Sequence, residues 1–224
     1  MPNESMRDYA LRVLRHNIIS LDMEPGRMYS EKELSSALGL SRTPMREALL
    51  QLSRIKIIEI YPQRGSAVAL IDYDLVEEAR FVREALECAV VRKVCQSAAQ
   101  NQLDSLRSNV NRQIRCLRSD DMEMLMQLDN NFHKQLFSIA KKMQSYEFVS
   151  NMTIHLDRVR SMALVAVKEH AFVKEHEEIL TAVRSRDEDL AEALMHQHLS
   201  RFLIDEAALR QKYPTFFKNQ AFAS

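Results

Sequence analysis

The chain has 224 residues, and its 31 Lys/Arg are balanced by 31 Asp/Glu. A net charge of zero argues against a general polyanion binder, so any nucleic-acid footprint has to be local. Only 3 glycines and 5 prolines against 46% hydrophobic residues predict a mainly α protein. No run of 18 apolar residues suggests a membrane span, and the N-terminal MPNESMRDYA lacks an apolar signal core, so a cytoplasmic protein is expected. Cys88, Cys95 and Cys116 are odd in number and lack CxxC spacing, which suits reduced core thiols better than disulfides or a zinc cluster.

In chain order, Leu11, Leu14, Ile18 and Leu21 recur at helical spacing and predict a first amphipathic helix over 7–21. Pro25-Gly26 ends it. Ser30 with Glu33 has the form of a capping box and opens a short helix through Leu38, where Gly39 suits the left-handed end. Ser41 or Thr43 can cap the next helix, with Pro44 in its first turn, where a missing N–H costs nothing. The segment "IIEIYPQRGSAVAL" then reads as a hairpin turning at Pro62-Gln63-Arg64-Gly65. Three helices followed by a hairpin is the order of a winged helix-turn-helix. We therefore place an N-terminal winged helix-turn-helix over 1–72. An all-helical antiparallel bundle over 73–224 follows, with helices expected at 73–97, 101–118, 121–141, 144–167, 171–185 and 187–211.

Charge gathers in one place. Between Arg42 and Arg64 there are five basic residues (Arg42, Arg46, Arg54, Lys56, Arg64) and two acidic ones (Glu47, Glu59). Arg42 and Arg46 are four residues apart and share a helix face near its N-terminal end, the part of a helix-turn-helix that enters the major groove. A guanidinium presents two donors that match guanine O6 and N7 or straddle phosphate oxygens. Arg64 stands at the hairpin tip, where a wing could reach the minor groove. A plainer alternative pairs Arg46 with Glu47 or Glu33 on a solvated surface.

The segment "EPGRMYSEKELSSALGLSRTPMREALLQL…YPQRGSAVAL" resembles the DNA-binding domain of GntR-type bacterial transcription regulators over residues 7–71. The resemblance implies that Lys32, Ser41, Arg42, Thr43, Arg46, Arg64 and Gly65 approach double-stranded operator DNA. Lys56 departs from the pattern, because the family usually has glycine between recognition helix and wing.

In the second half, polar residues interrupt apolar stripes. Along 121–141 the stripe reads Met122, Met126, Asp129, His133, Leu136, Ala140; in 171–185 it is Phe172, His176, Ile179, Val183; in 187–211 it is Leu190, Leu194, His198, Phe202. Three imidazoles and a carboxylate thus point into one helical core. A divalent metal would satisfy all four, since imidazole nitrogen and carboxylate oxygen are ordinary ligands of zinc, nickel or manganese. Alternatively Asp129 pairs with one histidine while the others donate to backbone carbonyls. His16, His155, His170 and His196 are read as non-ligands. The segments "ARFVREALE", "LDNNFHKQLF", "EHEEILTAV" and "ALMHQHLSRFL" resemble the FCD effector domain of the FadR-like branch of the same family. That resemblance implies a metal, zinc first, on Asp129, His133, His176 and His198. It also implies a small organic acid effector at the remaining coordination positions, and speaks against fatty acyl-CoA. Arg83 is the candidate to clamp such a carboxylate, or else it pairs with Glu84, Glu87 or Asp129.

The expected protein is a homodimeric, ligand-responsive transcription regulator, a repressor by expectation, whose effector shifts the placement of its DNA-binding domains. Two other classes compete. One is a metal-ion sensor whose effector is the ion itself. The other is a metal-dependent enzyme, against which no spare general base stands out and for which the basic helix would be superfluous.

Overall fold

A computed structural model describes residues 4–166, 171–200 and 206–218, without side chains at 164–166 and 206. The chain is mainly helical and divides into two compact units. The first comprises residues up to Val76, Ile154–Ser161 and the described part of Glu206–Ser224; the second comprises Glu77–Thr153 and Met162–Asp205. The N-terminal stretch of the first unit ends at Val76. Two stretches from the C-terminal half nonetheless count with the first unit, which no periodicity announced.

In the first unit, α1 (Met6–Ile19), α2 (Glu31–Leu38) and α3 (Arg42–Arg54) surround a core of Leu14, Ile18, Met45, Leu49 and Leu52. The capping box reading of α2 holds on one side: Ser30 Oγ accepts from Glu33 N at 3.0 Å, and Gly39 closes the helix at φ 64°. At α3, Ser41 occupies the N-cap position, yet among the described residues its hydroxyl makes no capping hydrogen bond. The hairpin forms from β2 (Ile58–Tyr61) and β3 (Gly65–Val68), with Ile58 opposite Val68 and Tyr61 opposite Gly65. A two-residue strand, β1 (Met28–Tyr29), pairs with β3 on its other edge, giving the order β1-β3-β2. Sequence reading missed β1 because two residues carry no alternation to detect.

Gly65 is fixed by that third strand. It adopts φ +117°, and a Cβ there would lie 2.5 Å from the carbonyl oxygen of Tyr29. Lys56, between α3 and β2, takes the left-handed conformation at φ 59° without being glycine, a cost of about 1–2 kcal/mol for a residue with a Cβ.

Residues 206–218 finish the first unit. Ile71 N donates to Phe216 O at 2.8 Å and Lys218 N to Ile71 O at 2.9 Å, forming a parallel bridge. Phe217, 3% exposed, stacks on Tyr73 with centroids 5.7 Å apart, and Lys218 Nζ meets Asp72 Oδ2 at 3.0 Å. The segment that sequence reading left unpatterned thus straps the start of α4.

The second unit is a bundle of α4 (Tyr73–Ser97, entering from the first unit), α5 (Gln100–Ser119), α6 (Met122–Ile139), α7 (Met143–Met152), α9 (Ala171–Arg184) and α10 (Glu188–Ser200). Its core includes Val91, Leu106, Phe132, Phe137, Ile179 and Met195. Connections of two or three residues make α5–α6 and α9–α10 antiparallel neighbours. Arg186, in the α9–α10 turn, donates to Cys95 O and Ala98 O at 2.6 Å each and satisfies carbonyls at the end of α4.

Two expectations need correction. The single helix 144–167 is interrupted at Thr153, giving α7 and α8 (Ile154–Ala166), although Thr153 keeps right-handed dihedrals (φ −64°, ψ −12°). The inward stripe of α10 is Ala191, Met195, His198 and Leu199, while Leu190 is 47% exposed. Capping by Asp187, which accepts from Leu190 N at 3.0 Å, sets Leu190 in the first turn, facing outward. Phe202 and His170 lie outside the described residues, as does the middle of the helix expected over 187–211; its end is α11 (Glu206–Lys212). The three cysteines are free and buried.

Candidate functional site

The second unit brings four side chains together from three helices. Asp129 and His133 lie one turn apart on α6, His176 comes from α9 and His198 from α10; all four are buried. One ligand atom from each lies within 4.8 Å of the others. His198 Nε2 is 3.3 Å from both His133 Nε2 and His176 Nε2, and Asp129 Oδ1 is 3.9 Å from His133 Nε2 and 3.7 Å from His176 Nε2.

What stands behind each ring decides its chemistry. His133 Nδ1 meets Glu87 Oε2, His198 Nδ1 meets Glu175 Oε2 at 2.9 Å, and His176 Nδ1 meets Gln113 Oε1 at 2.8 Å. Each partner is a side-chain oxygen, not the backbone carbonyl of the plainer alternative. A carboxylate or amide oxygen accepts, so each Nδ1 donates to its partner and each Nε2 faces the centre. Burial foremost lowers the pKa of His133, against the pull of Glu87, and burial together with His198 pushes His176 well below its ordinary range. Both rings are therefore neutral at pH 7. Burial alone would raise the Glu87 carboxyl, but His133 and Arg83 outweigh it and draw it down to about 2.

Three ring nitrogens and a carboxylate converge in a buried site, an arrangement that a cation at the centre would stabilise. With metal–nitrogen bonds of about 2.1 Å, neighbouring ligands on one ion stand about 3.0–3.4 Å apart, which matches the 3.3 Å from His198 to His133 and to His176, while Asp129 stands wider at 3.7–3.9 Å. The donor set fits a divalent ion of the borderline class. Among the described residues this is the one group of histidine, cysteine and acidic side chains with such convergence.

Arg83, on α4, is buried and donates from Nε to Glu87 Oε1 at 2.7 Å. Of the expected alternatives, the Glu87 pair is the one formed. Of the remaining histidines, His196 is exposed near Glu84 (3.2 Å), and His155 meets Ile55 O at 2.8 Å. Sequence reading did not single out Gln113 or Asn109. The signal was present: at i, i+4 they interrupt the buried α5 stripe of Leu106, Val110 and Cys116 just as Asp129 and His133 interrupt α6.

In the first unit the expected DNA-facing residues lie on the α2–α3 surface and the hairpin tip. Lys32, Ser41, Arg42, Thr43, Arg46 and Arg64 are all exposed, whereas Gly65 is half-buried against β1. Met45, Ala48, Leu49 and Leu52 face inward, so α3 turns its arginines to solvent. Arg46 comes within 4.0 Å of Glu31, with its side chain 71% exposed, a loose surface pair of at most about 1 kcal/mol that a phosphate could displace. None of the alternatives Glu33 or Glu47 is its partner.

A winged helix-turn-helix joined to a helical unit with an interior acid-and-imidazole cluster defines a class of transcription regulator. Residues 9–68 match the family of bacterial regulatory proteins, gntR family, and residues 78–201 match the FCD domain. The chain belongs to the GntR family of bacterial transcription regulators, with a DNA-binding helix-turn-helix and an FCD effector domain. It is 32% identical to the HTH-type transcriptional repressor RspR of Escherichia coli K12 over 98% of this chain and 96% of that protein. It is 33% identical to an HTH-type transcriptional regulator in an unstable DNA locus of Streptomyces ambofaciens, over 96% and 90% of the two chains. Among solved structures, E. coli McbR/YncC superposes with TM-score 0.81 at 19% identity, over 93% of this chain and 99% of that one. A GntR regulator from Rhodococcus sp. RHA1 gives 0.72 at 21% identity over 94% and 98%. These relatives are regulators, not enzymes, and no described helix is long and apolar enough to cross a membrane.

Proposed function

We propose that the chain is a cytoplasmic, homodimeric repressor of transcription whose operator affinity is set by a small organic acid at a divalent metal in the FCD unit. The observation that carries this reading is the convergence of Asp129, His133, His176 and His198, each ring backed at Nδ1 so that Nε2 faces the centre. Four protein ligands on an ion that accepts five or six leave positions for a carboxylate, zinc being the first candidate, then nickel or manganese. Arg83 engages Glu87 through Nε, and its two terminal amino groups would clamp the acid bidentately. Lys32, Ser41, Arg42, Thr43, Arg46, Arg64 and Gly65 would face operator DNA, and a second copy would supply the second half-site. RspR, a repressor by name, supports repression over activation.

The test is a titration of labelled operator with metal-loaded protein against a panel of small carboxylates. Wild type should respond to at least one acid, whereas Asp129→Ala plus His176→Ala should bind operator without responding. Operator affinity that responds to metal without any acid, and that no acid changes, would favour an ion sensor instead.

A further inference from the structure

Two of the three clustered histidines are backed by carboxylates, and the third by a neutral amide. That exception has a built explanation. Leu128 O, a backbone carbonyl, can only accept, so the Asn109 group 3.1 Å from it must be Nδ2. Asn109 then turns Oδ1 to Gln113, which presents Nε2 at 2.6 Å. Gln113 in turn presents Oε1 to His176 Nδ1 at 2.8 Å. Each step fixes the next: carbonyl, amide, amide, imidazole. Gln113 is 0% exposed and Asn109 5%, so bulk solvent barely reaches either amide.

We propose that Gln113, its amide polarity locked by Asn109, is the positioning residue that holds His176 in the tautomer able to ligate. The proposal rests on the metal reading above and adds to it a residue pair on α5 that contributes no ligand. The relay begins at Leu128, the residue before Asp129, so one turn of α6 sets both a ligand and the polarity behind another ligand on α9. Unlike Glu87 and Glu175, Gln113 orients its ring without adding negative charge. The charge of a bound divalent ion then stays available to an anionic ligand. An apolar residue at 113 would leave His176 free to carry its proton on either nitrogen.

The experiment compares wild type, Gln113→Leu, Asn109→Leu and, as a control, Arg107→Ala on the exposed side of α5. One readout is zinc affinity by competition with a chromophoric chelator. The other is the His176 tautomer in metal-free protein, from long-range proton–nitrogen NMR. Wild type should show Nδ1–H. Gln113→Leu should lose about 10- to 100-fold in zinc affinity. Asn109→Leu should lose less and show a tautomer mixture, and Arg107→Ala should match wild type. Should Gln113→Leu fail to fold by circular dichroism, Asn109→Leu carries the test, because it leaves Gln113 in place but unlocked. A wild-type His176 protonated at Nε2, or folded variants with wild-type tautomer and zinc affinity, would overturn the relay alone. A wild type that binds no zinc overturns the metal reading and the relay's purpose together.

Discussion

Glu175 and His176 are consecutive on α9 yet serve different rings: His176 enters the cluster itself, while Glu175 Oε2 lies 2.9 Å from Nδ1 of His198 on α10. One helix therefore supplies one side chain of the cluster and orients another. Glu175→Gln keeps the shape and removes the charge, so zinc affinity should fall on the order of 10-fold. Chelator competition measures this; an unchanged affinity would mean that the carboxylate only fills space.

Arg42 and Arg46 are exposed and are not among the buried residues of α3, so replacing both with alanine should leave the unfolding midpoint in place. Operator binding should weaken by about 1–3 kcal/mol for each arginine that reads a base, with a shallower salt dependence. Fluorescence anisotropy across a salt series decides it, and wild-type affinity in the double variant would remove α3 from the DNA interface.

His155 gives a pH dependence outside the cluster. Burial pulls its pKa below the ordinary 6.5, against the Ile55 carbonyl that favours the charged ring. Below 6.5 the unfolded chain then binds more protons than the folded one, so the contribution is full above that pH and is lost as pH falls. His155→Gln keeps a donor for Ile55 O without titrating. Thermal midpoints between pH 8 and 5.5 should fall less steeply for this variant than for wild type, since His133 and His176 titrate in both.

Two left-handed positions predict opposite outcomes. Lys56→Gly relieves a Cβ at φ 59° and, net of glycine's greater unfolded entropy, should stabilise by about 0.5–1 kcal/mol. Gly65→Ala drives a Cβ against the Tyr29 carbonyl and should cost about 2 kcal/mol or more. Urea unfolding at constant m-value reads both.

How far these features could be read in advance follows from the range of the interactions. Ser30, Gly39, Pro44 and the Arg64-Gly65 turn act within a few residues, so helix, cap and hairpin are visible as local patterns. Asp129, His133, His176 and His198 are visible as polar breaks in apolar stripes. Their partners are not, because Glu87–His133 spans 46 residues and Gln113–His176 spans 63. No periodicity encodes which helices meet. The outward turn of Leu190 follows from a cap at Asp187, and β1 exists only because β3 offers it an edge.

The bridge between Ile71 and Phe217 has a bearing on biosynthesis. Asp72 and Lys218, joined beside it, are 146 residues apart, so a ribosome releases the winged domain long before the segment that bridges to Ile71 exists. During that interval α3 and the hairpin can pack on their core, but the bridge at Ile71 stays unmade. Tyr73 waits uncovered for Phe217, which makes sealing of this junction one of the late events in the life of the nascent chain.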